Sequence, residues 1–330
     1  MIVVWRVVDS CNLACGFCAY DKRLAFPRNA ADPAEIVRFA TLLAEHQLET
    51  GDRVLLSWLG GEPLRWNPLQ GLTETVRSLG LEVSATTNGT TLGSARLRRH
   101  LCESYKEITF SVDGFSRFHD PMRGWRGGFA KLQQWVPMLG AEARALGAPL
   151  KLRANVVLMH QNVGDFGALC DELADWGITE ITYNQLGGRD RPEFYPQHRL
   201  TPADVSAFEG ELPAIRRALD ARGVALIGGE QYLTRIHAST RNERLPIDDC
   251  DPGRDFLFID ERGRISPCSF TTQDYGIVLS SIRTIADLAA LPGRFRRLQK
   301  LQRSRQCDDC LSTQVCGKFK ARADRQAVAA

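Results

Sequence analysis

At 330 residues, with 44% apolar and 25% charged side chains, the chain is long enough for a large domain plus a smaller appendage, and its composition suits a globular protein with a substantial core. A net charge of +3, spread along the chain, and 8% aromatic residues argue against nucleic acid or an anionic membrane as partner. No apolar run approaches the ~20 residues of a membrane span, and the apolar start MIVVWRVV meets cysteines without a small-residue cleavage site, so a cytoplasmic protein is expected.

Strand-like runs rich in β-branched and aromatic residues alternate with helical patterns. Strands are predicted near 3–8, 53–58, 82–87, 107–112, 151–158 and 180–183, and helices near 33–48, 68–79, 94–103, 129–146, 163–176 and 203–222. Asp32 followed by Pro33 and Glu35 is a capped helix start, because a short acceptor at the N-cap satisfies orphan N–H groups. Six strands, each followed by a helix, imply a parallel sheet with right-handed crossovers. The expected fold class is α/β, a partial (β/α)6 TIM-like barrel over residues 1–222 with a small C-terminal domain. Residues 223–249 read as a connector, 250–318 as the second domain and 319–330 as a polar, alanine-rich tail. FLFID-ERGR-ISPC, with Gly263 at its turn, reads as a hairpin within that second domain.

The ten cysteines are unevenly placed. Three crowd into residues 11–18 and five lie between 250 and 316, while Cys102 and Cys170 fall in predicted helices as small apolar core residues. In a reducing compartment, clustered cysteines are metal ligands more often than disulfides. Cys11-x3-Cys15-x2-Cys18 follows the first strand, where a loop lets three thiolates converge. A [4Fe–4S] cube held by three cysteines keeps one iron without a protein ligand, and S-adenosylmethionine (SAM) can chelate that iron. A zinc site with a distant fourth ligand is the alternative on spacing alone.

This spacing, with the aromatic Phe17 before the last cysteine, resembles the radical SAM superfamily, and the resemblance extends over the first 190 or so residues. It implies that Gly60-Gly61-Glu62-Pro63 is the motif accepting the SAM ammonium, where glycines let a ligand approach the backbone. It places Asn88 in a T-N-G at the end of the third strand, and Ser111 and Asp113 in an S-x-D-G whose side chains bond the ribose. His119 and Arg123, in the segment after the fourth strand, would reach SAM or substrate. Chemistry gathers at the C-terminal mouth of barrels, so Arg153 and Asn155 on the fifth strand and Tyr183, Asn184 and Gln185 on the sixth are expected to contact adenine or substrate. His119, Arg153 and Tyr183 are the candidates for the catalytic proton transfer.

Cys250, Cys268, Cys307, Cys310 and Cys316 resemble the auxiliary-cluster domains called SPASM, with two clusters, or Twitch, with one. A full SPASM pattern would continue from Cys316 with x3-Cys, but Lys320 stands there. Five cysteines cannot complete two cubanes through sulfur alone, so one auxiliary [4Fe–4S] cluster is expected, with Cys316 a fifth candidate ligand; a four-cysteine zinc ribbon is the alternative. The resemblance to sulfatase maturases and to 2-deoxy-scyllo-inosamine dehydrogenase implies two-electron oxidation of a small molecule such as a sugar, cyclitol or nucleoside. An external one-electron donor of flavodoxin or ferredoxin type is implied too. The alternatives are maturation of a ribosomally made peptide, or a redox-neutral decarboxylation, elimination or epimerisation. A first strand beginning near residue 2 favours the small substrate.

Overall fold

The structure, a computed structural model, describes residues 1–247 and 250–310. Cys316 lies outside the described residues. Six strand–helix repeats open the chain: β1 (Ile2–Val8) and α1 (Pro33–Thr50), β2 (Leu55–Gly60) and α2 (Leu69–Ser78), β3 (Glu82–Thr87) and α3 (Ala95–Ser104), β4 (Glu107–Ser111) with α4 (Ser116–Arg123) and α5 (Gly128–Ala145), β5 (Lys151–Leu158) and α6 (Phe166–Asp175), and β6 (Glu180–Gln185) with α7 (Tyr195–His198) and α8 (Pro202–Ala221). After them come β7 (Ala225–Ile227), α9 (Glu230–Thr240), β8 (Phe256–Ile259), β9 (Arg264–Ser266), α10 (Thr272–Tyr275), β10 (Ile277–Val278), α11 (Ile285–Ala289) and α12 (Leu291–Leu301).

These elements gather into two compact units, neither continuous in sequence. Among the described residues, one holds 1–10, 27–85, 245–247 and 250–310, the other 11–26 and 86–244. They cut across the boundaries expected at residues 222 and 250.

In the first unit β2 and β3 lie parallel on one side of β1, with Trp5 opposite Trp58 and Trp58 opposite Ala85. Helix α1 starts where expected: Asp32 Oδ1 accepts from Ala34 N at 2.9 Å, and Pro33 occupies the first turn. Its apolar face carries Phe39, fully buried and edge-on to Trp5 at 6.0 Å. Burying each such ring contributes roughly 1.5–3 kcal/mol. The expected hairpin forms as β8 and β9, and β10 extends it (Phe258 opposite Ser266, Ile265 opposite Ile277). It does not stand apart as a separate domain. All four residues of β8 are buried, so the strand needs cover on both faces, and it pairs in parallel with the open edge of β1.

The second unit carries the parallel run β4, β5, β6 and β7. Helices α6 and α8 bury Phe166, Leu173, Val205 and Phe208 in its apolar layer. Residues 223–249, expected as a connector, supply β7 and α9 instead, with Glu180 opposite Ala225. A three-residue strand between glycines is too short for periodicity to reveal. No helix among the described residues is long and apolar enough to cross a membrane.

Candidate functional site

The cysteine loop lies in the second unit and is fixed at both ends of its motif. Leu13 N donates to Cys11 Sγ at 3.4 Å and Tyr20 N to Cys18 Sγ at 3.3 Å. Asn88 Nδ2 donates to Cys11 Sγ at 3.7 Å and to Asn12 Oδ1 at 3.0 Å, while its own Oδ1 accepts from Thr90. The Asn-Gly dipeptide after β3 thus ties down the chain around the first cysteine. The middle of the loop rests on the last turn of α4. Met122 O accepts from Gly16 N and Arg123 O from Ala14 N, both at 3.3 Å. Gly124 closes that turn at φ 59°, where a Cβ would stand 2.9 Å from the Ala14 methyl group, so glycine is required for both conformation and space.

A buried ion pair sets that turn. Asp113 Oδ2 accepts from Arg123 Nε at 2.7 Å, and the two side chains are 0% and 9% exposed. Asp113 Oδ1 takes Val157 N at 3.0 Å, and its carbonyl takes Asn162 Nδ2 at 2.6 Å. Asp113, expected to bind ribose hydroxyls, thus has its carboxylate buried and engaged with the Arg123 guanidinium. Arg123 also lies over Phe17, 5.2 Å from its ring centroid. Burial pushes the Cys15 thiol up to about 12 against the pull of Arg123, and it raises Cys18 as well. A sulfur in such a place carries its charge only beside a cation.

His119 is 1% exposed, and its Nδ1 accepts from Asp113 N at 3.3 Å. Burial, and then the neighbouring Arg123, push the imidazole down to about 3, so the ring is neutral with its proton on Nε2. That atom has no partner among the described residues. The ring is packed edge-on to Phe129, and its burial beside Arg123 disfavours the protonated form that a base would pass through.

Of the strand residues, only part of the expected set shares one face. Asn155 Oδ1 accepts from Thr182 Oγ1 at 2.9 Å and Asn184 Nδ2 at 2.6 Å, and Ser111 stands opposite Asn155 in register. These polar side chains form a ladder across β4, β5 and β6. Gln185 turns the other way, with its amide nitrogen buried. Arg153, expected to reach substrate, pairs with Glu107 and Glu180, the first residues of β4 and β6, at the N-terminal ends of the strands. Tyr183, expected to contact adenine or substrate, falls on the opposite face of β6 from Asn184. It is fully buried against Phe166, Phe208 and Tyr232, in the layer between sheet and helices.

Two features belong to the first unit. Gly61 N donates to Val8 O at 2.8 Å and Glu62 N to Ser10 O at 3.0 Å, and a Cβ on Gly60 would stand 2.6 Å from Val8 O. Glu62 is buried and its Oε1 caps the short turn begun by Pro63, accepting from Leu64 N at 3.1 Å. Further along the chain, Cys250, Cys268, Cys307 and Cys310 line a single cavity with Gln299 and Thr271 among the other walls. Thr271 Oγ1 lies 3.2 Å from Cys268 Sγ. Burial, with smaller contributions from Cys268, Cys310 and Cys307 and against a hydrogen bond from Gln299, raises the Cys250 thiol to about 11.

A sequence model of the Radical SAM superfamily matches residues 5–183, more than half of the 330. The chain belongs to the radical SAM superfamily. The AdoMet-dependent heme synthase of Oleidesulfovibrio alaskensis is 23% identical over 97% of this chain and 82% of its own length. Among solved structures, anSMEcpe with bound AdoMet and Kp18Cys peptide matches with a TM-score of 0.68 and 16% identity, over 96% of this chain and 87% of that one. Streptococcus suis SuiB bound to precursor peptide SuiA matches at 0.63 and 19%, over 89% of this chain and 66% of SuiB, just under two thirds of its length. At these identities the structures speak for the fold, the partial TIM-like barrel expected from the strand–helix order.

Membership in the radical SAM superfamily implies SAM and a [4Fe–4S] cluster, and the cysteine loop is chemically suited to one: three thiols, N–H donors aimed at two of them, and burial that favours a bound cation. Among the described residues no three His, Cys, Asp or Glu side chains are gathered around a single ion. A cubane does not need that spacing, because each thiolate binds a different iron. What sequence reasoning missed is that Asp113, His119 and Arg123 act on the loop from beneath it. The regular spacing of Arg123 and His119 on α4 was the available signal, since residues four apart share one helix face.

Proposed function

We propose that the protein cleaves SAM reductively and oxidises an organic substrate by two electrons, with one cluster held by Cys11, Cys15 and Cys18 and one by Cys250, Cys268, Cys307 and Cys310. When bound, the first cluster and SAM supply a 5′-deoxyadenosyl radical that abstracts hydrogen from a C–H bond. The protein's own part is placement. Asn88 and the Asp113–Arg123 pair hold the cysteine loop, and Ser111, Asn155 and Asn184 offer neutral hydrogen-bonding groups to adenosine or substrate. Gly60 to Pro63 offer a tight turn for the amino acid end of SAM.

The observation carrying the oxidative reading is the convergence of four thiols on one cavity. Four thiolates complete a cubane without Cys316, and a second cluster gives the substrate's electron somewhere to go. An external one-electron donor, of flavodoxin or ferredoxin type, starts the cycle. Among the relatives, the GTP 3',8-cyclase of Synechococcus is named for a nucleotide, but it matches only 32% of this chain. A second reading, modification of a peptide, is favoured by the fold shared with SuiB and anSMEcpe, both solved with peptides.

Anaerobic reconstitution tests the ligand set. The wild-type chain should bind about eight irons, and a Cys250→Ala/Cys268→Ala variant about four, while still forming 5′-deoxyadenosine in the presence of dithionite. Equal iron in the two proteins would sink the second cluster.

A further inference from the structure

The second unit contains a cavity of about 460 Å³, the size of a small-molecule site. Its walls include Ala14 and Gly16 of the cysteine loop, three arginines (Arg23, Arg117 and Arg191) and His198, and no carboxylate. The floor is apolar: Phe118, Met122 and Phe194 belong to one cluster with Met159 and Leu186.

Each guanidinium is anchored from outside the cavity. Asp21, whose side chain is 1% exposed, accepts from Arg23 Nε at 3.0 Å and from Arg191 Nη1 at 3.3 Å. Glu193 takes Arg191 Nε, and Asp165 takes Arg117 Nη2 at 2.6 Å. Arg23 Nη2 also donates to Ala14 O at 3.1 Å, and the nitrogens left without a protein partner among the described residues are Arg191 Nη2, Arg23 Nη1, and Arg117 Nε and Nη1. His198 stacks on Phe194 at 3.8 Å, and its buried Nδ1 also lacks a partner among them. Each guanidinium is therefore held by a carboxylate and keeps at least one N–H for a charge-assisted bond to a further anion.

We propose that this cavity binds an organic carboxylate with an apolar body, held by Arg191, Arg117 and Arg23 over the Phe118–Phe194 floor. That the ligand is the substrate rests on the radical SAM reading above; that the cavity selects such an anion does not. The carboxylate comes either from a free acid or from an acidic residue of a peptide, and the same chemistry recognises both.

Equilibrium dialysis of the reconstituted holoenzyme against 2-naphthylacetate and 2-naphthylacetamide tests the proposal, with the free probe read by its fluorescence in the protein-free chamber. The acid should bind at least about tenfold more tightly than the amide, the worth of one charge-assisted hydrogen bond. Arg191→Gln should abolish that preference, and Arg117→Gln should weaken it, which keeps the test open if one variant folds poorly. A tetrapeptide acetyl-Gly-Phe-Glu-Gly-amide that binds more tightly than 2-naphthylacetate would support the cavity and assign its carboxylate to a peptide. Equal binding of acid and amide, binding of neither, or a preference that survives both substitutions would overturn the proposal. SAM cleavage measured on the same samples separates the two readings: its persistence alongside failed binding removes the cavity and leaves the enzyme class intact.

Discussion

Replacing Cys11, Cys15 and Cys18 together by alanine should abolish 5′-deoxyadenosine formation with dithionite as reductant, and should lower bound iron from about eight to about four per chain. The two readouts fall for one reason. On the proposed assignment the loop thiols would hold the cluster that takes SAM, so their loss would remove both the metal and the place where the sulfonium is reduced. Cys15 is buried and packed on the carbonyl of Arg123, so its replacement alone also loosens the loop; the triple variant is compared with Cys102→Ala, a buried thiol on α3 that should retain full iron and activity. SAM cleavage persisting in the triple variant would refute the ligand assignment.

Asp113→Ala should cost about 3–5 kcal/mol, because it strands the Arg123 guanidinium in a buried site. For a chain of this size that is a fall in Tm of roughly 4–7 °C. The loss should reach function through the loop. With Arg123 freed, the turn that receives Ala14 N and Gly16 N shifts, and iron incorporation falls even where the protein remains folded. If Asp113 instead served the ribose of SAM, the variant would keep its Tm and its iron and show only a raised KM for SAM. Thermal unfolding and iron content, measured on one preparation, distinguish these outcomes.

How much of this was legible in sequence depends on the kind of residue. The strand–helix alternation was, because each repeat is long enough for its period to show and α1 carries its own cap. The resemblance to auxiliary-cluster domains named Cys250, Cys268, Cys307 and Cys310, with Cys316 as a fifth candidate, and the four described ones line one cavity. Side-chain direction was not, at three positions. On β6, Glu180, Thr182 and Asn184 form one face, so Tyr183 necessarily falls on the other, among the helices. On β5, Arg153 shares its face with Asn155 but sits near the strand's start, where the acidic first residues of its neighbours neutralise it. Asp113 looked like a ligand-binding carboxylate because its partner lies ten residues away in a helix whose angle the sequence does not specify. β7 was missed for a different reason. Three apolar residues become a strand only when a neighbour offers an edge.

EPR of the dithionite-reduced Cys250→Ala/Cys268→Ala variant, recorded before and after adding SAM, addresses the first cluster alone. Coordination of SAM to the iron without a protein ligand predicts a changed spectrum. An unchanged spectrum, from a cluster with all four irons already held by the protein, would contradict the account.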